Sequence, residues 1–306
     1  MFLGIEIGGT KLQLGLGAGD GVITALWRGT VDAAAGSEGI RKQIEGAIPE
    51  LLAKANRDRG ELQGVGIGFG GPTDDATQTV IKSHQIEGWD GFPLADWVSD
   101  SVGVPAVLCN DADVAGLAEA LFGAGKGLSP IFYITVGTGI GGGLIIDGKI
   151  YRGVGRGAAE IGHYVVVERD DDKADVTTEE LASGWAIERF AAKSEIPTQR
   201  GRVTTEDVVV AAQMGNSHAH RILSIATDAI ATAVAQMITL LCPKRVVIGG
   251  GVSLMGEELF FRPIRSKVAR RVFPPFAGLT DIVPAALGEV VVVHGALALA
   301  RQKFGG

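Results

Sequence analysis

The chain has 306 residues, 46% of them apolar and 21% charged, which suits one large or two ordinary globular domains and excludes disordered, collagen-like and fibrous chains. A net charge of −7 and a pI near 5.3 exclude the basic face that non-specific nucleic-acid binding requires. Glycine is the anomaly: its 46 residues, about 15% and roughly twice ordinary usage, sit in short clusters between apolar runs. That pattern points to tight turns and to backbone brought close to a ligand.

Residues 4–23 (GIEIGGTKLQLGLGAGDGVI) predict two strands joined by a glycine turn. Ser37 then caps a predicted helix reaching about Asp58, with Ile40, Ile44, Ile48, Leu51 and Leu52 on one face. VGIGFGG (65–71) predicts a buried strand ending in a turn, and VPAVLCND (104–111) another. DADVAGLAEALFG leaves that strand as a helix closed by Gly123. IFYITVGTGIGGGLIIDGKI (131–150) then repeats strand, glycine turn and strand, with GAGDG (17–21) echoed weakly by IDGK (146–149). Two such hairpins suggest an internal duplication. A long helix from about Ser217 to Leu241 leads into RVVIGGGVS, a strand with a glycine turn, and HGALALARQKF at the end is helical. The alternation predicts an α/β protein, and the lack of a Pro- or Ser-rich linker predicts a hinge between any domains.

The opening MFLGIEIGGTK lacks the basic and apolar regions of a signal peptide. The longest apolar run, Ala229 to Cys242, stops at Pro243 and is too short to span a bilayer. Cys109 and Cys242 read as free buried thiols of a reducing compartment. The expectation is a cytoplasmic protein with no nucleic-acid or membrane partner.

GTGIGG (137–142) matches GxGxxG formally, but that fingerprint opens a helix and here a second strand follows. What remains is two glycine hairpins, Gly8-Gly9-Thr10-Lys11 and Gly137-Thr138-Gly139, with a third glycine turn at Gly249-Gly250-Gly251. Such turns aim backbone N–H groups and a Thr hydroxyl at anionic oxygens. Lys11 adds positive charge near a phosphate, and Glu6 is placed to order a metal ion. As a duplicated set the turns favour a nucleotide cleft over plain sheet hairpins. Asn110-Asp111 closes a strand at its carboxyl end, where α/β sheets bind ligands. Two readings stand for Asp111: a helix cap, or the base that phosphoryl transfer to an alcohol requires. Glu160 and His163 (GAAEIGHYVV) suit bidentate hydrogen bonding to neighbouring sugar hydroxyls, or else a helix-capping Glu and a structural His.

The whole string of motifs resembles the ROK family (repressors, open reading frames and sugar kinases) of the actin-like ATPase superfamily. The resemblance rests on GIEIGGTK (4–11), GVGIGFGGPTD (64–74), GWDGFPL (88–94), NDADVAGLAE (110–119), TVGTGIGGGLIIDGKIYRG (135–153), EIGH (160–163), ELASG (180–184) and VVIGGGVS (246–253), in this order. It implies an actin-like (ribonuclease H-like) two-domain α/β fold with a central ligand cleft. The expected lobes are 1–112 plus 289–306, and 113–288.

By matching position Asp111 is the general base and Asn110 a sugar ligand, with Glu160, His163 and Glu179 on further hydroxyls and Gly71 and Gln85 on the sugar side. Glu6, Gly8, Gly9, Thr10, Lys11, Gly137, Thr138 and Gly139 fall to the phosphates, and Gly249, Gly250 and Gly251 to the nucleotide. The implied activity is ATP- and Mg²⁺-dependent phosphorylation of a hexose, glucose O6 first, by a homodimer. Polyphosphate as donor, or a non-catalytic sugar-sensing regulator, are the alternatives. Retention of VVIGGGVS favours ATP, while a first hairpin at residue 4 leaves no room for a DNA-binding helix-turn-helix.

Three departures from the family pattern stand out. Gly70 replaces the first proline of PGP, Gln85 stands where Asn is frequent, and the cysteine-rich zinc module after EIGH is missing. Residues 164–178 read YVVVERDDDKADVTT, so no structural zinc is expected; Asp170, Asp171, Asp172 and Asp175 form an acidic stretch there.

Overall fold

The computed structural model describes residues 1–83, 85–168, 175–198 and 201–306. In chain order it contains β1 (Phe2–Ile7), β2 (Lys11–Gly17), β3 (Ile23–Thr30), α1 (Gly36–Lys54), β4 (Gly64–Phe69), β5 (Thr73–Asp74), β6 (Thr79–Val80), α2 (Leu94–Val102), β7 (Ala106–Asn110) and α3 (Asp111–Phe122). Then follow β8 (Ile131–Val136), β9 (Ile140–Ile146), β10 (Lys149–Ile150), β11 (Val165–Val167), β12 (Val176–Thr177), α4 (Thr178–Ala182), α5 (Gly184–Ala191) and α6 (Thr205–Gln213). The last elements are α7 (Ser217–Leu241), β13 (Arg245–Gly249), α8 (Arg262–Arg271), β14 (Asp281–Pro284) and α9 (Val291–Phe304).

One five-stranded sheet has the order β3-β2-β1-β4-β7, the other β10-β9-β8-β13-β14. Both share one plan, as the repeated hairpin pattern predicts. In the first, β1, β2 and β3 are antiparallel neighbours, and β4 and β7 run parallel to β1. In the second, β13 runs parallel to β8 and to β14. The sequence pattern missed β3 and β14, because neither carries a glycine turn or a long apolar run to mark it.

The chain forms two compact units: Met1–Ser129 with Gly143–Ala158 and Ala286–Gly306, and Pro130–Gly142 with Ala159–Ala285. With residues 143–158, helix α3 lies in the first unit. It is buried from Ala112 to Ala120 and packs on α9, which itself lies on β1 and β4. Close approach explains much of the glycine usage here. A Cβ on Gly66 would lie 1.9 Å from the Ala296 carbonyl oxygen, and one on Gly295 would lie 1.9 Å from that of Val114.

Helix α1 buries the expected face, Ile40, Ile44, Ile48, Leu51 and Leu52, in a core with Leu12, Leu14, Leu16 and Trp89. Ser37 does not cap it: Ala35 is the N-cap and makes no side-chain bond. Ser37 is buried instead, its Oγ donating to the Gly88 carbonyl at 3.0 Å and its N–H to that of Glu87 at 2.9 Å. The helix ends at Lys54, and Asp58 opens a separate 3₁₀ turn over Arg59–Glu61.

In the second unit α7 is the central helix, against which α4, α5, α6 and α8 pack. Counted from Ser217 it has 25 residues, long and apolar enough to cross a membrane by length and composition, unlike the shorter run read from Ala229. Packing accounts for that apolarity, since 67% of its most apolar window is buried inside the protein.

Candidate active site

In the first unit, parallel pairing sets Ile7 level with Phe69 and Phe69 level with Asn110. Three strands thus end at one height, and the turns beyond them gather Gly8 to Lys11, Gly70 to Pro72, and Asn110-Asp111. The Gly70 N–H donates to the Ile7 carbonyl at 2.9 Å, tying two of these turns together. The capping role that the sequence left open at Asp111 falls to its neighbour. Asn110 is the cap of α3: its Oδ1 accepts from the N–H of Ala112 at 2.9 Å and of Asp113 at 3.4 Å. Its Nδ2 donates to the Gly71 carbonyl at 3.1 Å. Asn110, expected on the sugar, is thus engaged in holding the helix and the glycine turn. Asp111 occupies the first helical position and turns its carboxylate toward Gly70, where a Cβ would lie 3.4 Å from Oδ2.

The first hairpin closes through a Gly8 N–H donating to the Lys11 carbonyl at 3.0 Å, with Thr10 exposed at its tip. Lys11 Nζ pairs with Glu6 Oε1 at 2.9 Å and donates to the Glu289 carbonyl at 3.0 Å. Burial pushes the Glu6 carboxyl above its ordinary value, and the Lys11 charge works against that shift. Glu6 Oε2 is buried with no hydrogen-bond partner among the described residues.

Two arrangements beside these turns escaped the sequence reading. Arg152 hydrogen-bonds both oxygens of Asp75, the Thr73 hydroxyl and Asp113 of α3, joining the segment after β10 to the first turn of α3. Burial works against the guanidinium charge, but Asp75 and Asp113 hold its pKa above the ordinary arginine range. Glu119 is fully buried; its Oε1 accepts from the Ala286 and Leu287 N–H groups at 2.9 Å each, and its Oε2 from that of Ala124 at 2.7 Å. The available signal was Asp113 and Glu119, two acidic residues inside the otherwise apolar run that follows Asp111.

In the second unit the hairpin Gly137-Thr138-Gly139 closes through a Gly137 N–H donating to the Gly139 carbonyl at 2.8 Å, again with the threonine exposed. Glu179, expected on sugar hydroxyls, is held at this hairpin: its Oε2 accepts from the Ile140 N–H at 2.6 Å. The end of β13 comes level with β8, and Gly250, at φ +85°, presses on the Val136 backbone, where a Cβ would lie 2.5 Å from the carbonyl oxygen. Only glycine fits. The turn Gly249–Gly251 and the hairpin therefore share one edge of this sheet. Glu160 precedes and His163 ends a 3₁₀ turn whose Ile161 and Gly162 are buried; Glu160 and His163 are themselves exposed, and the His163 N–H donates to the Glu160 carbonyl at 3.0 Å. Thr178, next to Glu179, donates from both N–H and hydroxyl to the Tyr164 carbonyl, which ties α4 to that turn.

Among the described residues no group of three or more His, Cys, Asp or Glu side chains is placed to hold a metal ion. Asp170, Asp171 and Asp172 lie outside the described residues.

The ROK family profile matches residues 2–303. A glucokinase of Thermotoga maritima is 33% identical over 99% of this chain and 98% of its own length. A ROK family glucokinase of Streptomyces griseus, solved with glucose and AMPPNP, is 32% identical with a TM-score of 0.81 over 98% of this chain and 99% of its own. A ROK hexokinase of Thermus thermophilus superposes with a TM-score of 0.84 at 27% identity, over 99% of this chain and 98% of its own. These matches carry the actin-like fold with them. With strand ends, glycine turns and an Asn-Asp pair in these places along its whole length, the chain belongs to the ROK family.

Proposed function

We infer that the protein is an ATP-dependent sugar kinase of glucokinase type, transferring the γ-phosphoryl group to a hexose hydroxyl, with glucose O6 as the leading acceptor. The observation that carries this reading is Asp111: it stands at the level ends of β1, β4 and β7, and Asn110 relieves it of the capping role. A carboxylate so placed accepts the acceptor hydroxyl's proton as its oxygen attacks the γ-phosphorus, while the β–γ bridging oxygen leaves with ADP. The two glycine hairpins, each with an exposed threonine at its tip, offer N–H and hydroxyl donors to phosphate oxygens. Gly250 lies against the β8 end and suits the adenosine side. Gly71, Gln85, Glu160, His163 and Glu179 are proposed on the sugar side.

Magnesium fits the first hairpin, where the buried Glu6 Oε2 supplies a hard carboxylate oxygen; when bound, it neutralises charge on the phosphate oxygens. The same reading includes a homodimer in the cytoplasm with no nucleic-acid or membrane partner. The acidic net charge of −7 supports the exclusion of nucleic acid, and sedimentation tests the dimer. The kinase assignment is tested by crossing a panel of hexoses with ATP and with polyphosphate in a coupled assay. Glucose-dependent ADP release is the expected result. Turnover with polyphosphate alone would move the donor, and the absence of turnover with every sugar would overturn the reading.

A further inference from the structure

The loop between β6 and α2 is anchored at several points. Ile86 and Trp89 are buried, Ser37 holds the carbonyls of Glu87 and Gly88, and the Ser83 N–H donates to Asp90 Oδ1 at 2.9 Å. Between these anchors Gln85 is exposed to solvent at its own position, yet its side chain reaches the first hairpin. A Cβ placed on Gly9 would lie 1.4 Å from Gln85 Oε1 and 2.6 Å from its carboxamide carbon. The amide oxygen therefore fills the space directly over Gly9. No side chain at position 9 is compatible with that contact. The cation of the same hairpin is engaged too, with Lys11 on Glu6 and on the Glu289 carbonyl.

We propose that Gln85 is a sugar-released plug of the phosphate hairpin. Its carboxamide oxygen stands over Gly9 where an anionic phosphate oxygen would approach, and a sugar that hydrogen-bonds the carboxamide draws it away. This deepens the kinase reading and rests on it for the identity of the sugar. The physical logic is competition for one volume. A carbonyl oxygen carries the partial negative charge of a phosphate oxygen, so the two exclude each other both sterically and electrostatically. Nucleotide bound before sugar must first displace Gln85; nucleotide bound after it meets an open hairpin. The coupling is reciprocal, so nucleotide must tighten sugar by the same factor as sugar tightens nucleotide. Gln85 acts here as a positioning residue that sets the order of binding and restrains sugar-free hydrolysis of ATP.

The test measures the affinity of a non-hydrolysable ATP analogue with Mg²⁺ by calorimetry, with and without saturating glucose, on wild type, Gln85→Asn and Gln85→Ala. Asn keeps the carboxamide for the sugar but is one methylene too short to cover Gly9. Both variants are expected to bind the analogue roughly 5–10-fold tighter than wild type in the absence of sugar, with the glucose-induced gain in affinity reduced by the same factor, at the lower end of the usual range of such couplings. A purely structural role in the loop would weaken or leave unchanged the sugar-free affinity and would not shrink the coupling. Unchanged sugar-free affinity in both variants, or no analogue binding by any of the three proteins, overturns the proposal. The kinase reading fails separately, through the absence of sugar-dependent ADP release, and the sugar-free affinities are read whether or not it does.

Discussion

Asn110, and not Asp111, carries the capping role at the head of α3. Asn110 makes three hydrogen bonds that hold α3 and the Gly71 turn, and Asp111 follows it as the first helical residue. The two side chains should therefore fail differently. On the proposed reading of Asp111 as the base, Asp111→Asn should keep the fold while kcat falls roughly 10²–10⁴-fold. Its thermal midpoint should stay within about 3 °C, because a carboxylate in the first helical turn contributes only about 0.3–1 kcal/mol. Asn110→Ala should lose about 1 kcal/mol or more in urea unfolding, from the missing cap and the Gly71 carbonyl left without its donor. Near-normal turnover by Asp111→Asn would remove it from the chemistry.

Among the helices, α3 shows how an acidic group becomes structural once an apolar helix is buried almost all round. Glu119 gathers three backbone N–H groups from two separate chain segments, Ala124 on one side and Ala286-Leu287 on the other. A glutamine has one acceptor oxygen and must turn its NH₂ toward one of these donors. Glu119→Gln is therefore expected to lose about 1–3 kcal/mol of stability, read by urea unfolding, since a buried donor left unmet carries that penalty.

His294, on α9 beside the Phe122 ring with centroids 6.5 Å apart, titrates below its ordinary value of 6.5 because burial disfavours the imidazolium; the Glu119 carboxylate only partly offsets this. The unfolded chain then binds a proton that the folded one does not once the pH drops below 6.5. Stability is full above that value and declines as the pH falls toward the folded one. Thermal melts from about pH 7.5 to about pH 5.5 should show a loss that His294→Gln reduces. An equal loss in both proteins would place the acid sensitivity elsewhere.

At the scale of the whole molecule, the expectation of a fold without structural zinc is the one most open to measurement. A structural zinc site takes four ligands, mostly Cys and His. This chain has two cysteines, Cys109 and Cys242, and none between them. Cys109 is buried, and that burial pushes its thiol above the range where a thiolate ligand forms. Chelator-treated protein should hold no stoichiometric zinc by elemental analysis, melt as before, and regain full sugar-dependent turnover with Mg²⁺ alone. Unfolding on zinc removal would refute this.

The architecture and the hairpins were legible in the order of residues, because they follow from short-range rules. Apolar alternation marks strands, a 3.6-residue period marks α1 and α7, and glycine pairs mark turns, each within a window of a few residues. The duplication was legible for the same reason, since one hairpin pattern occurs twice. Other features depend on residues far apart in sequence. Asn110 caps α3 through neighbours two and three residues on, but its hold on the Gly71 carbonyl, 39 positions away, is set by the fold. Ser37, which looks like a helix cap, became a loop anchor because Gly88 comes within reach, and Asp58 capped a turn of its own. Arg152 sits 77 positions from Asp75 and Glu119 sits 167 from Ala286, so their burial as charged groups depends on which chain segments return to α3. Local sequence thus determined the elements and the motif positions. Tertiary packing decided which polar side chains hold distant stretches of backbone, because a hydrogen bond of about 3 Å is settled by where the distant partner arrives.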